Sequence, residues 1–349
     1  MRAFRVLDWG RRPELVEMAV PEPGRGQVRV RVAGCGLCHS DIVMGQLEAA
    51  MGEAIGWKVP FTLGHETAGW IDAIGPDVSF AEGAAVALVS PSSCGTCRWC
   101  VRGQDNACPN GLVGRGYGRD GGLADFVLVD SPERSLVALG GFDPRIAGPL
   151  TDAGATSYHA VRGVLAHLSD DSTVVVIGVG GLGSFVVQFL RAMTTARIIA
   201  VDQNEHRRVL ASELGAHHVV EGVGADSKRA THEAMAAVVG RDPVDAVIDL
   251  VGSDDTISVG AGVLAAGGAL ALVGAAGGKL LRPWFSGLPR DGRVFTFQGS
   301  DRADAHAVID LAEQGLIRVD VDSYRLDRVC DAYAALDAGT LHGRAVVQP

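Results

Sequence analysis

Residues 172–191 read Ser-Thr-Val-Val-Val-Ile-Gly-Val-Gly-Gly-Leu-Gly-Ser-Phe-Val-Val-Gln-Phe-Leu-Arg. The β-branched run 173–177 predicts a buried strand, and the apolar stretch 184–191 predicts a helix. The glycines of Gly178-Val179-Gly180-Gly181-Leu182-Gly183 lie between them. In this setting Gly178 permits the tight turn out of the strand, Gly180 lets the backbone approach a pyrophosphate, and Gly183 lets the helix pack closely on the sheet. The helix N-terminus then offers free N–H groups to phosphate. Asp202 ends the next predicted strand, about twenty residues on, where an acid accepts hydrogen bonds from adenosine ribose hydroxyls and repels a 2′-phosphate. That arrangement argues for NAD over NADP. Taken alone, Asp202 also suits a helix N-cap.

Residues 172–190 carry no charge and approach the length of a membrane span. The four glycines decide against a span and for strand, turn and helix. Working outward, residues 174–177, 197–201, 246–250 and 269–273 are strand candidates that alternate with helical stretches, as in a doubly wound parallel sheet. Before about residue 130 the pattern differs: short alternating runs such as 27–32 and 84–89 are broken by Pro and Gly, predicting a barrel-like β domain. A helical stretch at 303–313 and a last strand at 344–347 are expected to rejoin that first domain.

The chain has 349 residues, 47% apolar and 21% charged, enough for two domains with separate cores. Its net charge of −10 argues against nucleic acid or an anionic membrane surface as partner and leaves small molecules. Seven cysteines, an odd count, with no signal-peptide pattern after Met1-Arg-Ala-Phe-Arg5 fit a reducing, cytoplasmic setting in which thiolates bind metal.

Cys94, Cys97, Cys100 and Cys108 have the spacing of a closed tetrahedral zinc cage, which is structural because no ligand position stays open. Upstream, Cys38 in Cys38-His39-Ser40-Asp41 and His65-Glu66 offer ligand types of an open, catalytic zinc. Asp152 in Pro149-Leu-Thr-Asp152-Ala-Gly is the candidate third ligand. Glu66 is either a supporting carboxylate or an alternative ligand, and Asp41 can orient the His65 ring. The plainer alternatives are a small core residue for Cys38 and a helix N-cap for Asp152. Cys35 and Cys330 match no ligand pattern.

Together these residues resemble the zinc-containing medium-chain alcohol dehydrogenases over nearly the whole chain, with the motifs in the family's order. The likeness is greatest to bacterial NAD-dependent secondary alcohol dehydrogenases, whose Pro-Leu-Thr-Asp-Ala-Gly segment carries an aspartate zinc ligand. The resemblance implies a GroES-like β-barrel catalytic domain with a zinc lobe, residues 1–150 and 292–349, and a Rossmann NAD-binding domain, residues 151–291. It implies two Zn2+ per chain, NAD, an alcohol and its ketone or aldehyde as substrate pair, and a homotetramer or homodimer. By position it makes Ser40 the hydroxyl that takes the substrate proton. Thr156 then packs against the nicotinamide, and His39 and Arg344 approach the pyrophosphate. One departure concerns the proton relay: where many animal and yeast members have a histidine, this chain has Val43. The proton then leaves Ser40 and the cofactor ribose by bulk water or His39.

Rival classes are set against this reading. Dehydrogenases with a Tyr-x-x-x-Lys pair are excluded, because the residues four beyond Tyr117, Tyr158, Tyr324 and Tyr333 are Gly121, Arg162, Arg328 and Asp337. Zinc-free quinone reductases lack the ligands found here. A polyol or amino-alcohol dehydrogenase, and a non-catalytic NAD-binding redox sensor, are the alternatives. The apolar segment 45–61, with Met51, Ile55 and Trp57, and the aromatics Trp284, Phe285, Phe295 and Phe297 are apolar enough to line a hydrophobic pocket and point to an apolar, secondary alcohol or its ketone, although any one of them suits a core or subunit interface nearly as well.

Overall fold

A computed structural model describes residues 1–222, 228–239 and 243–349. The chain divides into two compact units, Met1–Ala155 with Gly299–Pro349, and Thr156–Gln298.

The first unit is built on β-sheet. Its larger sheet runs in the order Leu136–Ala138, Ala85–Leu88, Glu66–Ile74, Gln27–Gly36, Arg344–Gln348 and Val321–Arg325, and Phe126–Asp130 also pairs with Gln27–Gly36. All these pairs are antiparallel except the last two strands of the path. Alternation sets the two faces. Val28, Val30 and Val32 point into the core with Ile71, Val86, Val127 and Val129. Arg29 and Arg31 point outward, over the rings of Phe126 and Trp70. A second sheet places Arg2–Val6 between Glu14–Glu17 and Phe61–Thr62. Where Gln27–Gly36 ends, the chain turns into the short helix His39–Gly45; where Glu66–Ile74 begins, His65 immediately precedes it. Both therefore leave the sheet at the Gly36↔Glu66 end of one strand pair.

The second unit is a six-stranded parallel sheet of β1 (Thr173–Ile177), β2 (Arg197–Asp202), β3 (His218–Glu221), β4 (Val244–Asp249), β5 (Leu264–Leu272) and β6 (Arg293–Thr296), ordered β3-β2-β1-β4-β5-β6. This is the strand order of the doubly wound dinucleotide-binding fold, with its switch point at β1 and β4. All five residues of β1 are buried, as a central parallel strand covered on both faces requires. The helix Gly183–Met193 buries Phe185, Val186, Val187, Phe189 and Leu190, each large side chain contributing about 1.5–3 kcal/mol of burial. The uncharged run at 172–190 is thus divided between β1 and this helix. Among the described residues no helix is long and apolar enough to cross a membrane.

The predicted strands at 246–250 and 269–273 appear with earlier boundaries, in β4 and β5. Strands β3 and β6 were not predicted: each has four residues, with β3 largely exposed and β6 partly so.

Candidate metal centres and dinucleotide site

In the first unit the thiols of Cys94, Cys97, Cys100 and Cys108 converge, their ligand atoms all within 4.8 Å of one another. Sulfur separations are 3.5 Å for Cys97–Cys100, 3.9 Å for Cys97–Cys108 and 4.0 Å for Cys94–Cys100. Tetrahedral zinc with bonds of about 2.3 Å sets sulfurs about 3.8 Å apart, so the cage fits that ion, and no two of these thiols are joined as a disulfide. Backbone N–H groups of Thr96 and Cys97 draw Cys94 toward thiolate, to about 5, whereas burial pushes Cys100 up to about 12. Metal binding therefore has to displace a proton at Cys100. The lobe is tied down by Arg134, which donates to the Ser93 hydroxyl at 2.7 Å and pairs with buried Asp105.

A second cluster joins Cys38, His65, Glu66 and Asp152, again with ligand atoms within 4.8 Å. Cys38 is the N-cap of the helix His39–Gly45, and its backbone N–H donates to Asp41 Oδ2 at 3.0 Å. The other Asp41 oxygen lies 3.0 Å from His65 Nδ1, with both side chains fully buried. An Nδ1–H donated to Asp41 leaves a lone pair on Nε2. Nε2 faces Asp152 Oδ2 at 3.4 Å, a close approach of opposite partners, yet it is buried without an aligned hydrogen bond. A buried imidazole nitrogen without an aligned hydrogen bond, beside a thiol and a carboxylate, fits a zinc ligand set. Burial works against a charge on His65, but Tyr117, Asp41 and Asp152 outweigh it and raise the ring well above its ordinary value. The pocket favours positive charge.

Glu66 is fully buried and accepts from Arg344 Nη2 at 2.6 Å; the same guanidinium donates to the Leu37 carbonyl at 2.9 Å. Burial drives the Glu66 carboxyl up to about 7 against the pull of Arg344. Its second oxygen, Oε2, is buried without a hydrogen bond. Asp152 stands between the short turn Gly148–Thr151 and the helix Ala153–Val164. Ser40, in the first turn of its helix, has its hydroxyl 3.4 Å from the Tyr117 hydroxyl, and the Tyr117 ring centroid lies 4.7 Å from that of His65. His39 is exposed, Val43 is 64% exposed, and Cys35 is buried.

In the second unit the fingerprint glycines differ in what surrounds them. Gly178 has φ of +88°, and a methyl on Gly183 would lie 2.0 Å from the Gly178 carbonyl oxygen, so both are glycine for the sake of the fold. At Gly180 the nearest atom to an added methyl is the Arg207 guanidinium at 3.8 Å. Nothing in the protein forbids a side chain there, and the open cradle fits a pyrophosphate. The Asp202 carboxylate, at the end of β2, accepts from Val179 N–H at 2.7 Å and Asn204 N–H at 2.8 Å, with Arg207 3.9 Å away. Thr156 is buried, and Ser157 Oγ donates to the Leu182 carbonyl at 2.9 Å, tying the helix Ala153–Val164 to the fingerprint turn.

The cluster at Cys38 and the turn at 178–183 thus gather most of the residues singled out in the sequence, each within its own unit. Ser157 and Tyr117 escaped that reading. Their hydroxyl partners lie 25 and 77 residues away, where no spacing rule reaches.

Residues 24–140 match the family model described as the alcohol dehydrogenase GroES-like domain, and residues 181–314 that described as zinc-binding dehydrogenase. An NAD-dependent alcohol dehydrogenase from Sulfurisphaera tokodaii is 34% identical over the whole of both chains. D-arabinose 1-dehydrogenase (NADP(+)) from Saccharolobus solfataricus is 32% identical over 95% of this chain and 93% of its own. The crystal structure of the alcohol dehydrogenase from the archaeon Aeropyrum pernix superposes with a TM-score of 0.89 at 32% identity, covering 100% of each chain. These relatives are archaeal, which corrects the expectation of a bacterial branch. Asp152, which suggested that branch, lies in the cluster with Cys38, His65 and Glu66.

Proposed function

The chain belongs to the zinc-binding alcohol dehydrogenase family, with a GroES-like domain and a Rossmann-type dinucleotide-binding domain, and is an NAD(P)-linked oxidoreductase; we propose that it interconverts an apolar secondary alcohol and its ketone with NAD. The observation that carries this reading is the convergence of half-buried Cys38 and Asp152 on the buried His65, whose Nε2 makes no aligned hydrogen bond. Zinc held there would act as a Lewis acid that makes a bound alcohol oxygen more acidic, and NAD would accept the hydride.

The chain's own residues do the rest. Asp41 fixes the His65 ring so that Nε2 stays a ligand. Glu66, paired with Arg344, supports the cluster from behind or takes a ligand position. Ser40 accepts the alcohol proton as general base and passes its own onward. Gly178 to Gly183 receive the pyrophosphate, and Thr156 packs against the nicotinamide. Asp202 accepts from the ribose hydroxyls and disfavours a 2′-phosphate. The lobe cysteines hold a second, structural zinc. The preference for an apolar substrate rests on the apolar character of segment 45–61.

A second reading, a sugar or polyol substrate, is favoured by the likeness to D-arabinose 1-dehydrogenase, whose name also specifies NADP. Initial rates of the zinc-replete protein with a secondary alcohol, a primary alcohol, a polyol and D-arabinose, each with NAD and NADP, separate the two. The secondary alcohol with NAD is expected to give the highest kcat/KM. A preference for the pentose with NADP would replace the proposal by the second reading.

A further inference from the structure

Tyr117 lies between the short strands Gly114–Arg115 and Gly118–Arg119, with its ring tilted 39° against the His65 imidazole and its hydroxyl 3.4 Å from Ser40 Oγ. A tyrosine hydroxyl carries its proton at neutral pH and can serve as a donor. A serine hydroxyl has one hydrogen to give and two lone pairs to receive. If Tyr117 fills one lone pair, the other is left for a substrate hydroxyl and the serine hydrogen for an acceptor beyond. Ser40 is half-buried, and the position where some relatives have a relay imidazole is the exposed Val43. Without a hydrogen bond or an imidazole to fix it, a serine hydroxyl divides itself among staggered rotamers.

We propose that Tyr117 is a positioning residue for proton transfer, its O–H donating to Ser40 Oγ and holding that hydroxyl in the one orientation that meets the substrate oxygen. The inference rests on the dehydrogenase reading above. In the oxidation direction the alcohol O–H bond breaks and its proton joins Ser40 Oγ, while the proton Ser40 held departs to water; Tyr117 keeps its own throughout. The 3.4 Å separation is long for two hydroxyls, and such contacts commonly tighten when substrate occupies a site.

Tyr117→Phe retains the ring against His65 and removes only the oxygen. We expect kcat to fall about three- to tenfold, the loss from freeing one three-well rotamer and weakening the proton transfer. KM for the alcohol and the zinc content by metal analysis should stay unchanged. In a Ser40→Ala background the same substitution should cost nothing further; an equal loss in both backgrounds, or none in either, would overturn the proposal. A second readout needs no turnover. Incorporating 3-fluorotyrosine labels all four tyrosines, and the fluorine resonance missing from Tyr117→Phe identifies that of Tyr117. Ser40→Ala should move that line and leave the other three; an unmoved line removes the contact on which the proposal stands. Absence of alcohol turnover in the unaltered protein would instead defeat the dehydrogenase reading, with the fluorine test still deciding whether the two hydroxyls are joined.

Discussion

Asp41 answers to two neighbours at once, capping a helix through the Cys38 N–H and fixing the tautomer of His65. Its role toward His65 was readable in the sequence, whereas the cap on the Cys38 N–H, a local rule at that offset, was not drawn from it. Asp152 was legible for a different reason: a third ligand was chemically required. If that requirement is met at Asp152, Asp152→Ala should bind one zinc per chain where the unaltered protein binds two, by elemental analysis of dialysed samples. A variant that keeps both would take Asp152 out of the ligand set. Tyr117 had no such signature, and its position over His65 emerges only from the folded chain.

Strand β1, its turn and the following helix form the element that the sequence specified most fully, since burial on both faces, a tight turn and close packing each demand particular residues. The neighbouring β5 shows the opposite. Its run Leu-Ala-Ala-Gly-Gly-Ala-Leu-Ala-Leu contains Gly267 at φ of +77° beside an irregularity in its pairing with β4, so its first half resembled a turn. Within the fingerprint, Gly183→Ala forces a methyl against the Gly178 carbonyl and should destabilise the fold by about 1–3 kcal/mol, read as a lower midpoint in denaturant. Gly180→Ala should leave that midpoint unchanged and weaken NAD binding instead. The reverse pattern would mean that the two glycines had been assigned each other's roles. At the start of the chain, Arg2 binds Asp125 through its backbone N–H at 2.5 Å and its guanidinium at 2.7 Å. Burial opposes the charge on Asp125, but these bonds outweigh it and hold the carboxyl below its ordinary range. A depressed carboxyl stabilises above its unfolded pKa of about 3.9, and the benefit is lost as pH falls through the folded value. Asp125→Asn should therefore melt lower than the unaltered protein at pH 7, and the gap should narrow toward pH 3. A gap independent of pH would assign the loss to packing.

Across the whole molecule, the division into a β unit and a parallel-sheet unit was legible because the hydrophobic pattern changes character along the chain. Short, exposed strands such as β3 were not, since they carry little of that pattern. In the cysteine lobe a metal held by the four thiols would take the place of burial, for among residues 91–113 only Cys100, Asp105 and Cys108 are buried. So small a core cannot hold a segment in place. Cys100→Ser should lose the lobe zinc and open residues 91–113 to limited proteolysis while Thr156–Gln298 stays resistant; a lobe that remains uncut would show that packing suffices. The strand Arg344–Gln348 lies inside the larger sheet, between Gln27–Gly36 and Val321–Arg325, and brings Arg344 to Glu66. The parallel-sheet unit, by contrast, is one uninterrupted stretch. During synthesis that middle stretch can finish folding while the β unit, begun earlier, still waits for its closing strand to leave the ribosome, so residues made before the middle stretch settle after it.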